Sequence, residues 1–457
     1  LIKNTDSLIG NTKDNVLQRL RHDACVIMDS ALSAVDPKGA VLNALSFDGD
    51  ILSYEGGSVD LSRTKKIIVV GGGKAGGLMV KAMEGLLGSR ITSGLVNVLK
   101  GSEDKIKTGR VTLRGAPHPI PGNEGVRGVD EMLDLTNGLT KHDLVITLIS
   151  GGGSALMPYP VSGINLKDMQ ELTNLLLRAG ATINELNAVR KHISGFKGGQ
   201  FARHAYPARM ISLILSDVIG DPLDTIASGP TSPDESTFME ARDVLVRYGL
   251  LGLVPENVLS RLNGGMNGIY PETPKLGDPI FENVSNLVIA NNYMAARAAS
   301  DTAEGLGYNS MILSTHIEGE ARHVGVMFAG IAREEQSRGL PLPKPAAIIV
   351  GGETTVTVKG DGMGGRNQEV ALGAVHKMNG LSGIIATLGS DGIDGSTDAA
   401  GAIVDGESLN RALELGLNPI DFLDLNDSHS FFESMGDLIV TGPTGTNVND
   451  LSVILVR

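Results

Sequence analysis

Lys65-Lys66-Ile67-Ile68-Val69-Val70, followed by Gly71-Gly72-Gly73-Lys74-Ala75-Gly76-Gly77 and then Leu78-Met79-Val80-Lys81-Ala82-Met83-Glu84, decides the fold. The apolar, β-branched run predicts a buried strand, the glycines a tight turn, and the last segment a helix. A strand, a glycine turn and a helix N-terminus together make an anion site, because backbone N–H groups and the positive end of the helix dipole point outward. Lys74, in the middle of the turn, adds a cation of its own.

Outward from this stretch, strands and helices alternate. Upstream, Asn15 to Ala34 has helical spacing, and Asp36-Pro37 restarts a helix through Leu45. Downstream, strands are predicted at Gly94–Leu99, Arg110–Leu113, Asp143–Ile149 and Met210–Leu215, with helices at about 123–139, 166–179 and 183–194. Strands that are apolar throughout predict a parallel sheet covered on both faces. Proline and glycine between 255 and 280 mark the predicted boundary, giving domains 1–260 and 261–457. The alternation then restarts, with strands at 287–290, 311–313, 347–350 with 354–358, and 384–388, and helices at about 291–306 and 319–337. Asp437–Val440 and Leu451–Val456, around the polar loop Thr441 to Asp450, predict a hairpin-like finish. There is no internal repeat.

Length and composition bound the function. A chain of 457 residues exceeds one typical core, so two domains are expected. Sixty glycines are roughly twice the usual share, and they cluster at strand ends, where loops approach a ligand closely. A net charge of −13 disfavours nucleic acid and anionic membranes. A single cysteine, Cys25, excludes an intrachain disulfide and fits a reducing, cytoplasmic setting, though the start at Leu1 leaves an upstream targeting segment open.

Four glycine-rich loops follow apolar strands, where ligands of α/β sheets sit. The first satisfies G-x-G-x-x-G through Gly71, Gly73 and Gly76, but no acid lies between Gly85 and Gly101 to hold a ribose. Lys74-Ala75 also departs from the phosphate loop of G-K-[ST] type. A phosphate or carboxylate site involving Gly72, Gly73 and Lys74 remains, against a plain strand–helix turn. The second, Ser150-Gly151-Gly152-Gly153-Ser154, can wrap an anion with N–H groups and two hydroxyls. Asn187, Arg190, Lys191 and Ser194 share a helix that runs into Lys197, with Arg190 and Ser194 on one face; Lys191 and Lys197 read individually as solvated charges. The third loop carries Asp217 at a strand end, placed to hold Mg²⁺ or accept a hydroxyl proton. The last comprises Gly351-Gly352-Glu353 and, further on, Gly364-Gly365-Arg366-Asn367, where an arginine in the first turn of a helix calls for an anion. Asp391 to Asp398 lacks the spacing of a calcium loop and reads as a polar loop, and Thr444 and Asn447 belong to a loop dense in hydrogen-bonding residues. The histidines, His118 in Pro117-His118-Pro119 among them, form no metal-ligand pattern.

These loops, with Gly115 to Pro121, Asn187 to Ser194, Ser216 to Asp221 and Ser390 to Asp398, resemble the glycerate 2-kinase family, whose members carry a C-terminal MOFRL domain. The resemblance spans nearly the whole chain. It implies an α/β fold with a larger Rossmann-like αβα sandwich and a smaller α/β domain, and an active site in the cleft between them. It implies transfer of phosphate from ATP, with Mg²⁺, to the 2-hydroxyl of D-glycerate. Lys74 and Arg366 fall on the family's essential lysine and arginine, and Asp217 is the expected base or metal ligand. Gly72, Gly73, Ser150, Gly151, Gly152, Gly153, Ser154, Asn187 and Arg190 are expected around substrate and phosphate. Gly351, Gly352, Glu353, Asn367, Asp391, Thr444 and Asn447 are expected around the nucleotide, with Asp391 a second candidate for metal. Expected partners are D-glycerate and ATP; a homodimer is left open. A nicotinamide-dependent hydroxypyruvate reductase and a non-catalytic nucleotide sensor are the competing readings. The missing ribose acid counts against the first.

Overall fold

A computed structural model describes residues 1–457, and the chain separates into two units: Pro37–Ile289, and Leu1–Asp36 together with Ala290–Arg457. This differs from the division expected at 260 in two places. The helix Glu256–Met266 and the strand that follows belong to the first unit, so the proline- and glycine-rich segment lies within it. The first 36 residues belong to the second unit, held by a contact the sequence did not advertise. Arg21, fully buried, donates from Nε to Asp405 Oδ2 at 2.8 Å and from Nη1 to Asp437 Oδ1 at 2.7 Å and Leu8 O at 2.9 Å. A buried guanidinium with two carboxylates tolerates little displacement, so it fixes where the helix Asn15–Ala34 docks.

In the first unit a three-stranded antiparallel meander comes first: β1 (Leu45–Asp48), β2 (Ile51–Tyr54) and β3 (Gly57–Asp60). It was not legible in the sequence. The main sheet contains β4 (Ile67–Gly72), β5 (Ser93–Leu99), β6 (Val111–Ala116), β7 (Leu144–Ile149), β8 (Arg209–Leu215) and β9 (Val284–Ala290). Its order is β6-β5-β4-β7-β8-β9, and the pairs β4/β5, β5/β6, β4/β7 and β7/β8 are parallel. Chain order therefore starts in the middle, winds to one edge and returns to wind to the other, as in a Rossmann sheet. The reversal falls between β4 and β7. Every residue of these two strands is buried, as their continuous apolar runs predict.

The second unit holds β10 (Asn309–Glu320), β11 (Ala346–Thr355), β12 (Gly383–Gly389), β13 (Gly401–Asp405), β14 (Leu438–Ile439) and β15 (Asp450–Val456). Their order is β10-β11-β15-β12-β13-β14. Only β10/β11 is a parallel pair; β15 runs antiparallel to both β11 and β12. The hairpin-like finish is thus corrected. β14 pairs with β13 at the edge, while β15 crosses to the centre, where its all-buried run Leu451 to Val456 is covered on both sides. Antiparallel insertion also puts the first residue of β15 level with the carboxyl ends of its neighbours: Asp450 stands opposite Gly352 of β11 and Gly389 of β12.

Candidate active-site residues in each unit

In the first unit the loops after β4 and β7 meet at the point where the strand order reverses. Lys74 N donates to Gly151 O at 2.9 Å, and Ala75 N to Ser150 Oγ at 3.1 Å. Gly73 N donates to Asn97 O at 3.0 Å. The opening loop thus spends the N–H groups of residues 73 to 75 on the protein itself, which corrects the expectation that they face an anion. Glycine is required there for approach: a Cβ on Gly73, whose φ is +152°, would lie 2.0 Å from Ser150 Oγ. The N–H groups of Gly151 and Gly152, by contrast, take no part in the backbone network. The N–H groups left outside the backbone network therefore sit on the second glycine loop. Lys74 is half-buried, its ammonium makes no ion pair, and its stem runs past Gly152.

Asp217, after β8, comes to the same loop: its Oδ2 lies 2.2 Å from where a Cβ on Gly151 would be, so any side chain at 151 would collide with the carboxylate. His118, passed over in the sequence, lies against Gly152. Burial, and then the charge of Lys74, hold its imidazole below the usual range and therefore neutral at pH 7. Ser154 Oγ lies 2.7 Å from Ser228 Oγ, which donates to Asn187 Oδ1 at 3.1 Å. Ala227 and Ser228 hold left-handed backbone (φ 51° and 58°), strain of a kind that collects at functional sites.

The two lysines expected to be solvated are both buried, and they differ in company. Lys191 reaches Asp224 Oδ2 at 2.9 Å and Asp234 Oδ1 at 3.3 Å, a neutralised structural contact. Lys197, 2% exposed, donates only to the Ser154 carbonyl, at 2.9 Å. Burial and the nearby Arg190 charge push its pKa down to about 7. Arg190, pushed down to about 10 by burial, bonds only Thr173 Oγ1, at 3.3 Å. Ser194, expected beside Arg190, instead accepts the N–H groups of Phe196 and Lys197 and closes the turn after the helix.

In the second unit Arg366 opens the helix Arg366–Met378, and protein carboxylates supply the anion that this position calls for. Its Nη1 donates to Glu353 Oε1 at 2.7 Å; its Nη2 and Nε lie 3.0 and 2.7 Å from Asp450 Oδ1 and Oδ2. These carboxylates raise the arginine's pKa further against its burial. Asp450, absent from the sequence-based set, also accepts Asn367 Nδ2 at 2.9 Å. Burial pushes Asp450 up to about 7, with Asp394 adding to the shift and Arg366 opposing it. Asp394 caps the same helix, accepting the N–H groups of Asn367 at 3.1 Å and Gln368 at 2.8 Å. Asp450 could have been suspected only from the β15 register, which the sequence did not disclose.

Arg366, Asn367, Asp394 and Asp450 line a pocket of about 690 Å³ within the second unit, together with Asp391, Asn447, Asn449 and Ile393. Three other expected nucleotide residues have structural duties. A Cβ on Gly351 would strike Asn292 Oδ1, at the start of the helix Asn292–Gly305, and one on Gly352 the Ile317 carbonyl of β10, so both glycines serve packing. Thr444 ties its own loop to residues 390 and 391, donating from Oγ1 to Ser390 O at 2.6 Å. No three carboxylate, histidine or cysteine side chains converge as a ready-made metal cage. No helix is long and apolar enough to cross a membrane.

Comparison with known proteins accounts for both units. A family profile described as a domain of unknown function (DUF4147) matches residues 23–263, and the MOFRL family matches residues 346–450. A D-glycerate 2-kinase of Thermotoga maritima is 40% identical over 96% of this chain and 99% of its own. A putative hydroxypyruvate reductase of Agrobacterium vitis is 40% identical over 94% of this chain and 93% of its own. A crystal structure of a glycerate kinase from Thermotoga maritima superposes with a TM-score of 0.86 at 38% identity, covering 96% of this chain and 100% of that one.

Proposed function

The chain belongs to the glycerate 2-kinase family, and from that premise we propose that it transfers the γ-phosphate of ATP to the 2-hydroxyl of D-glycerate, giving 2-phosphoglycerate and ADP. The observation that supports this most directly is the group at the reversal point of the Rossmann-type sheet. Lys74 without an ion pair, the N–H groups of Gly151 and Gly152, and the Asp217 carboxylate all address one loop. Phosphoryl transfer asks little covalent chemistry of a protein; it asks for position and for neutralisation of charge on the phosphoryl oxygens.

In this reading Lys74 and the Gly151–Gly153 loop neutralise and hold phosphoryl oxygens, Ser154 and Asn187 orient the acceptor, and Asp217 takes the proton of its hydroxyl. The nucleotide occupies the pocket of the second unit, where Asn367, Asp391 and Asn447 offer hydrogen bonds. Arg366, held in place by Glu353 and Asp450, donates hydrogen bonds to the phosphates from the guanidinium N–H groups those carboxylates leave over. Mg²⁺ is bound in kinases through one or two carboxylates completed by substrate phosphates and water, and Asp217 or Asp391 would supply such a carboxylate. When bound, it screens the charge of the phosphates. Cytoplasmic action fits the single cysteine, Cys25, which is buried.

The reductase reading meets two obstacles. β5 ends at Leu99-Lys100 with no ribose acid, and the N–H groups of residues 73 to 75 that would meet a pyrophosphate are already bonded. Incubation with D-glycerate, ATP and Mg²⁺, followed by phosphorus NMR, tests the proposal. A 2-phosphoglycerate resonance is expected. NADH oxidation by hydroxypyruvate without phosphoryl transfer would overturn it.

A further inference from the structure

We infer that Lys197 and Arg190 form the carboxylate anchor of the acceptor, a buried pair of cations that takes a small 2-hydroxy acid by its acid group. The inference rests on the kinase reading for the identity of the acid.

Three observations carry it. Neither cation has an acidic partner: Lys197 bonds one carbonyl and Arg190 one hydroxyl, while Lys191, six residues before Lys197, has two carboxylates. Taking an ammonium out of water costs several kcal/mol unless an anion compensates, so an uncompensated pair of cations is a standing demand for one. The surroundings are also built to hold the pair still. Gly198 N and Gly199 N donate to Ser228 O and Gly229 O at 2.9 and 2.8 Å, which locks the turn carrying Lys197 to the strained loop at 227–229. Finally, the anchor is contiguous with the transfer loop: Lys197 bonds the carbonyl of Ser154, whose hydroxyl meets Ser228 and, through it, Asn187.

The chemistry follows from this connection. A carboxylate between Lys197 and Arg190 restores the missing charge and puts the hydroxyl on the adjacent carbon one bond closer to the anchor than a hydroxyl on the third carbon. Selection of the 2-hydroxyl then needs no separate recognition of the end of the molecule. Glycerol, which lacks the acid, has nothing to offer the two cations.

The test compares wild type, Lys197→Met and Lys197→Arg by calorimetric binding of D-glycerate and by steady-state kinetics. Loss of one charged contact predicts a rise of roughly 30-fold or more in the dissociation constant and KM for D-glycerate in Lys197→Met, with the KM for ATP unchanged and substantial recovery in Lys197→Arg. In wild type, kcat/KM for D-glycerate falls as pH rises past about 7, as Lys197 loses its proton. Lys197→Arg, which stays charged, lacks that limb. If Lys197→Met folds and binds D-glycerate as wild type does, the anchor is wrong while the kinase reading stands. If wild type makes no 2-phosphoglycerate, the kinase reading itself fails. Should Lys197→Met not fold, Arg190→Gln, whose side chain is partly exposed, reports the same binding constant and decides the matter in the same way.

Discussion

The cations of the two units are kept in opposite ways. Arg366 is clasped by Glu353 and Asp450, so its charge is balanced before any ligand arrives. Lys74, Arg190 and Lys197 have no carboxylate against them. The first arrangement fixes a guanidinium's position at the cost of competing for it; the second leaves charge unspent and aimed at whatever anion comes. Preorganisation therefore has two forms here. One is geometric and neutral, the other electrostatic and, for the buried Lys197, destabilising to the empty protein.

Breaking that contrast gives the largest effects at Lys74. Lys74→Ala is expected to lower kcat/KM by about 10³-fold, the scale of losing one charge-stabilising group in the transition state. Thermal stability should barely move, because the lysine makes no ion pair. Turnover within a few-fold of wild type would remove Lys74 from the reaction. Arg366→Gln is expected to lose about 10²-fold in activity and also to destabilise the second unit, since Asp450 and Glu353 lose their counter-charge. Stability and activity should fall together there, measurable by parallel melts and assays.

Stability alone sharpens the contrast between the paired and unpaired lysines. Lys191→Met strands Asp234 and should cost about 3 kcal/mol in denaturant unfolding. Lys197→Met should raise the melting temperature at pH 6, since it removes an uncompensated buried charge. The pH dependence fixes the sign. The folded pKa of Lys197 lies at about 7, below its ordinary 10.5. Between those values the unfolded chain binds more protons, so stability rises with pH, and below about 7 the penalty is present in full. Lys197→Met should flatten that rise. The smallest effect is expected at Asp394→Asn: loss of part of the helix cap, about 1 kcal/mol, with catalysis changed little.

Much of this architecture is written locally, and the rest is not. Ile67 to Val70 and Leu144 to Ile149 announce buried parallel strands by composition alone, and the glycines after them announce close loops. Asp217, at a strand end, could be singled out for the same reason. Asp450 could not, because its importance comes from a strand insertion that pairs it with Gly352 and Gly389, positions about 100 and 60 residues away. The wrong solvent assignment for Lys191 and Lys197 has a related cause. A helical face says which residues point together, and nothing about whether another segment, here the loops carrying Asp234 and Ser228, will cover them. Arg21 was silent for the same reason: its partners, Asp405 and Asp437, come from far along the chain.

The position of β15 has a consequence for how the protein is made. A ribosome delivers β10 to β14 before the strand that must separate β11 from β12, so the central slot of that sheet cannot close in order of synthesis. The unit at 37–289 has all its strands in hand much earlier. Asp450 arrives with β15, so the clasp on Arg366 is assembled among the last steps. During synthesis the nascent polypeptide would therefore carry a finished first unit long before the Arg366 clasp exists, and the second unit would become complete late and all at once.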